Sequence, residues 1–268
     1  TLVGGLGGDK INGGGGRDII YADDRAVFSL NDITHADIKV HLDANAYIGI
    51  ENGQLLSYWV DQAGGNDNAT VTNQTQYLPQ YAVEALSGGR PGLDFDGVLN
   101  HLNFISSSTI NGDYSVYAVV RADAYDFEST FLNSRVSAEG RFDLKYSLDS
   151  IKADIGTGTQ WLDTSALVTT DSGIKALETY IIRYDMTNEG FYASVIGSDG
   201  NNYGSSYEAY NGVPLFANQG EYVRIGAAGN LYGLDQLFDG QIGDILIVDN
   251  TQSTIADEQA SIDADMAA

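Results

Sequence analysis

Asp9 and Asp18 occupy the same place in two successive nonamers, GGLGGDKIN at 4–12 and GGGGRDIIY at 13–21, each reading Gly-Gly-x-Gly-x-Asp-x-apolar-x. The first six positions of such a unit make a tight turn whose backbone visits positive φ, where glycine alone carries no Cβ penalty. The aspartate carboxylate, with turn carbonyls such as those of Gly5, Gly7, Gly14 and Gly16, offers oxygen ligands of the kind Ca2+ takes. Ile11 and Ile20, in the eighth position, point from short strands into the core of a parallel roll. A flexible glycine linker would not repeat Asp and Ile at fixed offsets. The next stretch, ADDRAVFSL, keeps acids at Asp23 and Asp24 but loses the glycines, so the array ends there.

A second chemistry is sugar recognition. The stretch GSDGNNYGSSYEAYNG at 197–212 sets Tyr203, Tyr207 and Tyr210 among Asn201, Asn202, Ser205, Ser206 and Glu208. Sugars present apolar ring faces that stack on aromatics and hydroxyls that both donate and accept, so flat rings beside short amides suit them. The competing reading is a polar surface stretch whose tyrosines cover sheet edges. Asp61, Asp67, Asp96 and Asp239 stand in turn-forming contexts. There they serve either as ligands for a further cation or as acceptors for their own backbone.

Reaction machinery is thin. Asp94 and Asp96 lie two apart on a strand, hence on one face and about 7 Å apart, a separation compatible with inverting glycoside hydrolysis. Any Asp-x-Asp strand has that spacing. His35, His41 and His101 are scattered; His41 and His101 fall in alternating segments, where packed or surface roles fit better than catalysis. Cysteine is absent, and no nucleophile elbow, phosphate loop or dinucleotide fingerprint is found.

The elements that must position these residues are strands. Tyr114–Arg121 alternates Tyr114, Val116, Ala118 and Val120 with Ser115, Tyr117, Val119 and Arg121; both faces are partly apolar, which predicts a mid-sheet strand. Further strands are predicted over 55–60, 92–95, 99–105, 130–134, 142–147, 179–184, 191–196, 222–227 and 241–248. In Phe95-Asp96-Gly97 and Phe238-Asp239-Gly240 an inward aromatic precedes an Asp-Gly pair that is expected to reverse the chain. Trp59 is expected as a bulky core ring entering the glycine turn at 61–65. One helix is predicted at the end, capped by Thr254, with Ile255, Ile262 and Met266 on one face.

The chain has 268 residues and 37 acidic against 13 basic side chains, a formal charge of −24 that opposes nucleic acid and anionic membrane surfaces as partners. Bound cations would relieve the self-repulsion, and with no thiolate the metal chemistry left is that of hard oxygen ligands. No run approaches the roughly 18 apolar residues of a membrane-spanning helix. The chain opens inside a repeat and so reads as a piece of something longer.

Residues 4–21 resemble the RTX, or hemolysin-type, calcium-binding repeats of proteins exported by Gram-negative bacteria. The order LSYWVDQAGGNDNAT at 56–70, GGRPGLDFDGVLNHLNF at 88–104, DYSVYAVVRA at 113–122 and LFDGQIGDILIVD at 237–249 resembles the LamG-like jelly-roll family, within the concanavalin-A-like lectin and glucanase superfamily. The resemblance implies an all-β fold: a concanavalin-A-like β-sandwich over 36–268, preceded by a short RTX β-roll segment over 1–24 and closed by one C-terminal helix. It also implies that a further Ca2+ is held at a sheet rim, with Asp61, Asp67, Asp96 and Asp239 as the positions to test. The Glu-x-Asp-x-x-Glu signature of the superfamily's glucanases and the Gln-x-His of its alginate lyases are both absent.

These readings together give a calcium-dependent carbohydrate-binding module of a secreted or cell-surface RTX protein such as an adhesin, exported by type I secretion, with a polysaccharide or cell-surface glycan as partner and no membrane insertion. The alternatives are a catalytic polysaccharide hydrolase or lyase domain of the same fold, and a structural spacer.

Overall fold

The computed structural model describes residues 2–3, 20–21, 38–47, 49–71, 75–123, 128–134, 139–147, 150–157, 161–163, 168–169, 176–187, 189–198, 200–209, 215–217, 219–230 and 233–250. In chain order the strands are β1 (Leu2–Val3), β2 (Ile20–Tyr21), β3 (Ile38–Asp43), β4 (Tyr58–Trp59), β5 (Ala69–Thr70), β6 (Gln80–Leu86), β7 (Arg90–Asp96), β8 (Leu102–Ile105), β9 (Ile110–Asn111), β10 (Tyr114–Ala122), β11 (Ser129–Ser134) and β12 (Glu139–Ser147). Then follow β13 (Ser150–Thr157), β14 (Trp161–Asp163), β15 (Val168–Thr169), β16 (Tyr180–Met186), β17 (Gly190–Gly197), β18 (Asn202–Ala209), β19 (Leu215–Ala217), β20 (Tyr222–Ile225), β21 (Ala228–Asn230), β22 (Gly233–Asp235) and β23 (Asp239–Asp249).

Two large antiparallel sheets form a sandwich. The 8-stranded sheet runs β18-β17-β16-β10-β23-β7-β6, with β3 also on β23. The 9-stranded sheet runs β14-β13-β12-β11-β20-β8-β5-β4, with β15 also on β13. Alternation explains the layering. On β10, Tyr114, Val116, Ala118 and Val120 face the core between the sheets, while Tyr117 and Val119 join a second apolar cluster with Leu86, Ile181, Leu246 and Val248 on the other side of the 8-stranded sheet. A strand apolar on both faces is stable only mid-sheet, and β10 indeed lies between β16 and β23.

The core is aromatic. Phe238 packs against Phe95, Phe131 and Tyr146 with ring centroids 6.3, 6.0 and 5.9 Å away. Phe142 and Tyr184 meet at 4.6 Å, beside Tyr114 and Phe216. Such pairs add about 0.5–1.5 kcal/mol each beyond their burial. Trp59, Phe95 and Phe238 are buried, as their flanking turn signals require.

Two expectations change. Asp96-Gly97 does turn the chain: Asp96 Oδ1 accepts from the backbone N–H groups of Val98, Leu99 and Asn100, each at 2.9 Å. Asp239-Gly240 does not. It opens β23, with Asp239 opposite Asp96 and Gly240 opposite Phe95, and the glycine is needed because β23 there passes too close to β10 for a side chain: a Cβ would lie 2.2 Å from the Arg121 carbonyl oxygen. The polar stretch at 197–212 contributes β18, an edge strand paired along its length with β17. The predicted C-terminal helix lies outside the described residues.

Gly226 shows how tightly the core is closed. Its φ is +80°, its carbonyl accepts from Phe238 N–H at 2.9 Å, and an added Cβ would lie 2.3 Å from the Phe95 ring. Gly226→Ala is therefore expected to destabilise the sandwich by about 2–4 kcal/mol, through overpacking and left-handed strain. Chemical denaturation checks this; a loss within about 0.5 kcal/mol, the usual range of surface substitutions, would refute the close packing.

Candidate functional site

Of the opening repeats, Gly5, Gly7, Asp9, Gly14, Gly16, Asp18, Asp23 and Asp24 lie outside the described residues. The strands at either end of the array are described. They pair in parallel, Leu2 with Ile20 and Val3 with Tyr21, so each residue meets the one two nonamers further along the chain.

The turn aspartates are largely committed to backbone. Asp61 Oδ1 accepts from His41 N–H and Ala63 N–H at 2.9 Å, and its Oδ2 from Gly65 N–H at 3.1 Å and Asp67 N–H at 3.3 Å. The turn needs these bonds, since the N–H groups of Ala63, Gly65 and Asp67 lie in no strand, and His41 N–H ties the turn to β3. Asp67 is tied to Ser107 through both backbone N–H and hydroxyl. Burial raises its pKa, against the lowering pull of the Ser107 bonds. Burial also acts upward on Asp96, but the N–H groups of Leu99, Asn100 and Val98 outweigh it and the net shift is downward. Asp239 lies beside Asp96 across the sheet. Ca2+ takes six to eight oxygens; at Asp61 both carboxylate oxygens are already used, which fits that ion poorly.

Among the described residues, the one group whose donor atoms converge as metal ligands is His41, Asp43 and Asp244, all buried and within 4.8 Å of one another. Position in the sheet explains the gathering. His41 and Asp43 alternate on the outer face of β3, and Asp244 is the register partner of Asp43 on β23. Arg90, from the start of β7, forms a buried ion pair with Asp244. Burial pushes the Asp244 carboxyl up from the ordinary carboxylate range; Arg90 pulls it down, keeping the pair ionic, and Asp43 raises it again. Asp43 Oδ1 accepts from Asn45 N–H at 2.7 Å. Burial lowers the pKa of His41, although Asp43 and Asp61 act to raise it. With a nitrogen donor and a guanidinium already balancing charge, this is an internal ion network unlike an all-oxygen calcium cage.

The tyrosine stretch is split by the sheet. Tyr207 sits opposite Tyr192 on β17, its ring 61% exposed and its hydroxyl donating to the Glu189 carbonyl at 3.1 Å. Tyr203 turns the other way and packs edge-on against buried Tyr180 at 5.5 Å. Asn202 Oδ1 accepts from Gly204 N–H at 2.9 Å, and the carbonyl of exposed Asn201 accepts from Gly197 N–H at 2.9 Å. Glu208 is the register partner of Phe191. Tyr210 lies outside the described residues. The structure thus brings together Asn202, Ser205 and Tyr207 along β18 and separates Tyr203 from Tyr207.

Asp94 and Asp96 share the face of β7 expected of them. Gln241 Nε2 donates to Asp94 and, at 2.9 Å, to Asp123. Burial raises Asp94, with the Gln241 bond acting against it. His101 is packed: its Nδ1 lies 3.0 Å from the Leu99 carbonyl, its ring lies against Tyr77, and burial lowers its pKa. Sequence reading missed the rings of Tyr58 and Tyr222, exposed on the outer face of the 9-stranded sheet. Their only local signal is a tyrosine at the outward position of a short alternating strand.

No family model matches the sequence, and no curated protein matches it. Solved structures do resemble the fold. Domain 4 of AbnA, a GH43 extracellular arabinanase from Geobacillus stearothermophilus, in complex with arabinotriose, superposes with a TM-score of 0.58 at 15% identity, over 87% of this chain and 98% of that one. The binding domain of botulinum neurotoxin serotype D gives 0.57 at 11% identity, over 85% of this chain. An arabinofuranosidase complexed with arabinofuranosyl-alpha-1,2-xylobiose gives 0.55 at 12% identity, over 79% of this chain. This chain spans 50% of the length of each of the last two. At these identities the likeness establishes the fold, an all-β sandwich.

Proposed function

We propose that the chain is a calcium-dependent glycan-binding module of a secreted or cell-surface RTX protein such as an adhesin. The observation that carries the glycan reading is a set of tyrosine rings left exposed on strands rather than on loops: Tyr58 at 45%, Tyr207 at 61% and Tyr222 at 57%. Rings held by a sheet lose little entropy when a sugar face stacks on them. Hydroxyl and amide side chains lie beside them, Ser205 and Asn202 by Tyr207 and Asn103 near Tyr222. The fold supports the reading, since its solved likenesses include an arabinanase domain in complex with arabinotriose and a botulinum neurotoxin binding domain in complex with SialylT.

The calcium reading rests on the nonamers, and the parallel pairing of β1 with β2 two nonamers on is the register a roll requires. In this reading Asp9 and Asp18 hold the ion with the carbonyls of Gly5, Gly7, Gly14 and Gly16, and Asp23 and Asp24 extend the acidic surface. Asp239 remains a rim ligand in this reading; Asp61 and Asp96 serve their turns.

A second reading, a polysaccharide hydrolase or lyase, has one observation in its favour. Asp94 is shifted up and Asp96 down on the same face of one strand, and pairs pushed apart in this way divide acid and base roles in glycosidases.

On a glycan array the chain is expected to bind in calcium, and to lose binding when the three exposed rings of Tyr58, Tyr207 and Tyr222 are together replaced by Ala. Release of reducing ends or unsaturated uronates from a polysaccharide panel would replace binding by catalysis. Calcium chelation is expected to lower the Tm and to raise hydrogen exchange first in residues 1–24, since ion binding stabilises only the state that holds the ion. An unchanged melting curve, with no heat on Ca2+ titration, would overturn the calcium reading.

A further inference from the structure

The outer face of the 9-stranded sheet carries one row of side chains directly opposite one another on six strands. Tyr58 on β4 pairs with Thr70 on β5, and Thr70 with Asn103 on β8. Asn103 pairs with Arg224 on β20, Arg224 with Asn133 on β11, and Asn133 with Asp143 on β12. Directly opposed residues project to the same side of a sheet. The alternate residues, Trp59, Ala69, Leu102, Phe104, Val223, Ile225, Leu132 and Phe142, face the core, so the row faces away from it. Six positions distant in sequence are thereby set in one line across the strands.

The row is graded. Tyr58 and Thr70 are exposed, Asn103 and Arg224 half-buried, Asn133 and Asp143 buried. Two residues along the same strands, Tyr222 and Ile105 form an exposed pair, 57% and 49%, beside Asn103 and Arg224. Arg224 is held flat on the sheet: its Nε donates to Asn103 Oδ1 at 3.1 Å and its NH1 to the Ala228 carbonyl at 3.4 Å, at the start of the β21–β22 hairpin. At the covered end, Asn133 Nδ2 donates to the Phe142 carbonyl at 3.5 Å, while its Oδ1 is fully buried without a hydrogen-bond partner.

From this register we infer that the outer face of the 9-stranded sheet is an oligosaccharide-binding groove, running across the strands from Tyr58 to Arg224 with Tyr222 and Ile105 as its second wall; this rests on the glycan reading and assigns its site. Tyr58 and Tyr222 are three strands apart, roughly 15 Å at the ordinary strand spacing, so the ligand is a chain of several sugars. Its chemistry is set by the lining. The two rings and Ile105 offer apolar faces for pyranose or furanose rings, and Thr70, Asn103 and Arg224 offer donors and acceptors for hydroxyls. Among the described residues Arg224 is the one cation on the open part of this face, against a chain whose net charge of −24 repels polyanions, which selects an uncharged glycan.

The test is titration calorimetry on the whole chain in calcium, with a panel of neutral tri- to hexasaccharides of arabinose, xylose, glucose and galactose, and acidic oligogalacturonates of the same lengths. Tyr222→Ala and Asn103→Ala are expected each to weaken binding about tenfold, with Tm nearly unchanged because the Tyr222 ring is outside the core. Tyr207→Ala, on the other sheet, is expected to have no more than a small effect. Ile105→Arg, which places a long charged side chain in the groove, is expected to abolish binding while leaving far-UV circular dichroism intact. Wild-type affinity in Tyr222→Ala, Asn103→Ala and Ile105→Arg, with loss in Tyr207→Ala, would overturn the groove and leave the glycan reading standing on the β18 edge. Binding of a charged glycan alone, unaffected by the three groove variants, would also overturn it. No heat with any glycan for the wild-type chain would overturn both.

Discussion

Burial of Asp244 against Arg90 is the interaction on which the architecture depends. β23 is hydrogen-bonded to β10 along one edge and to β7 and then β3 along the other, so it joins the start, middle and end of the described sandwich. Its inward residues Ile242, Ile245 and Ile247 fill the aromatic core, and Leu246 and Val248 support the second apolar cluster. A carboxylate between those two outward residues and Gln241 is tolerable only because Arg90 meets it. Losing one partner of such a buried pair costs on the order of 3–5 kcal/mol, since the other charge is left without a counterpart. The pair is 154 positions apart in sequence, so it ties the start of β7 to β23 across more than half of the chain.

The outer faces of the two sheets are unlike. On the 8-stranded sheet Ser115, Tyr117, Arg183 and Asp185 are buried, and Arg183 pairs with Asp185 at 2.7 Å. Among the described residues of the 9-stranded sheet, the outer face is buried over β11 and β12 and open over β4, β5, β8 and β20. The exposed rings follow this division. Tyr58 and Tyr222 stand where that sheet is uncovered, and Tyr207 stands on the edge strand β18, which has a single neighbour. Surfaces where a ligand can replace water are thus set by where the sandwich runs out of cover.

Much of the fold was legible because it follows from period-two alternation. β10, β16, β17 and β23 read directly from runs such as Tyr114–Arg121, and Trp59, Phe95 and Phe238 announced the core through the turns beside them. β18 did not. NNYGSSYEA has no apolar face, and an edge strand paired on one side needs none. Asp239-Gly240 misled for a physical reason: the same dipeptide that suits a turn also suits a strand that must pass close to a neighbouring backbone. The Arg90–Asp244 pair and the transverse row from Tyr58 to Asp143 were beyond reach, since each depends on the register of strands far apart in the chain and no local pattern marks a residue that acts only through its neighbour across the sheet.

In the proposed reading, cation and sugar occupy different parts of the molecule. Asp61 and Asp67 spend their carboxylates on backbone and on Ser107, and the open part of the outer-face row, from Tyr58 to Arg224, contains amides, hydroxyls and a guanidinium. A neutral glycan needs no such ion, because its hydroxyls are matched by donors and acceptors fixed on strands. Calcium would then act at a distance, by ordering the opening nonamers and screening a chain with 37 acidic against 13 basic side chains. Chelation would cost stability at the chain's start before it cost affinity at the sheet, and the two losses would separate along a calcium titration.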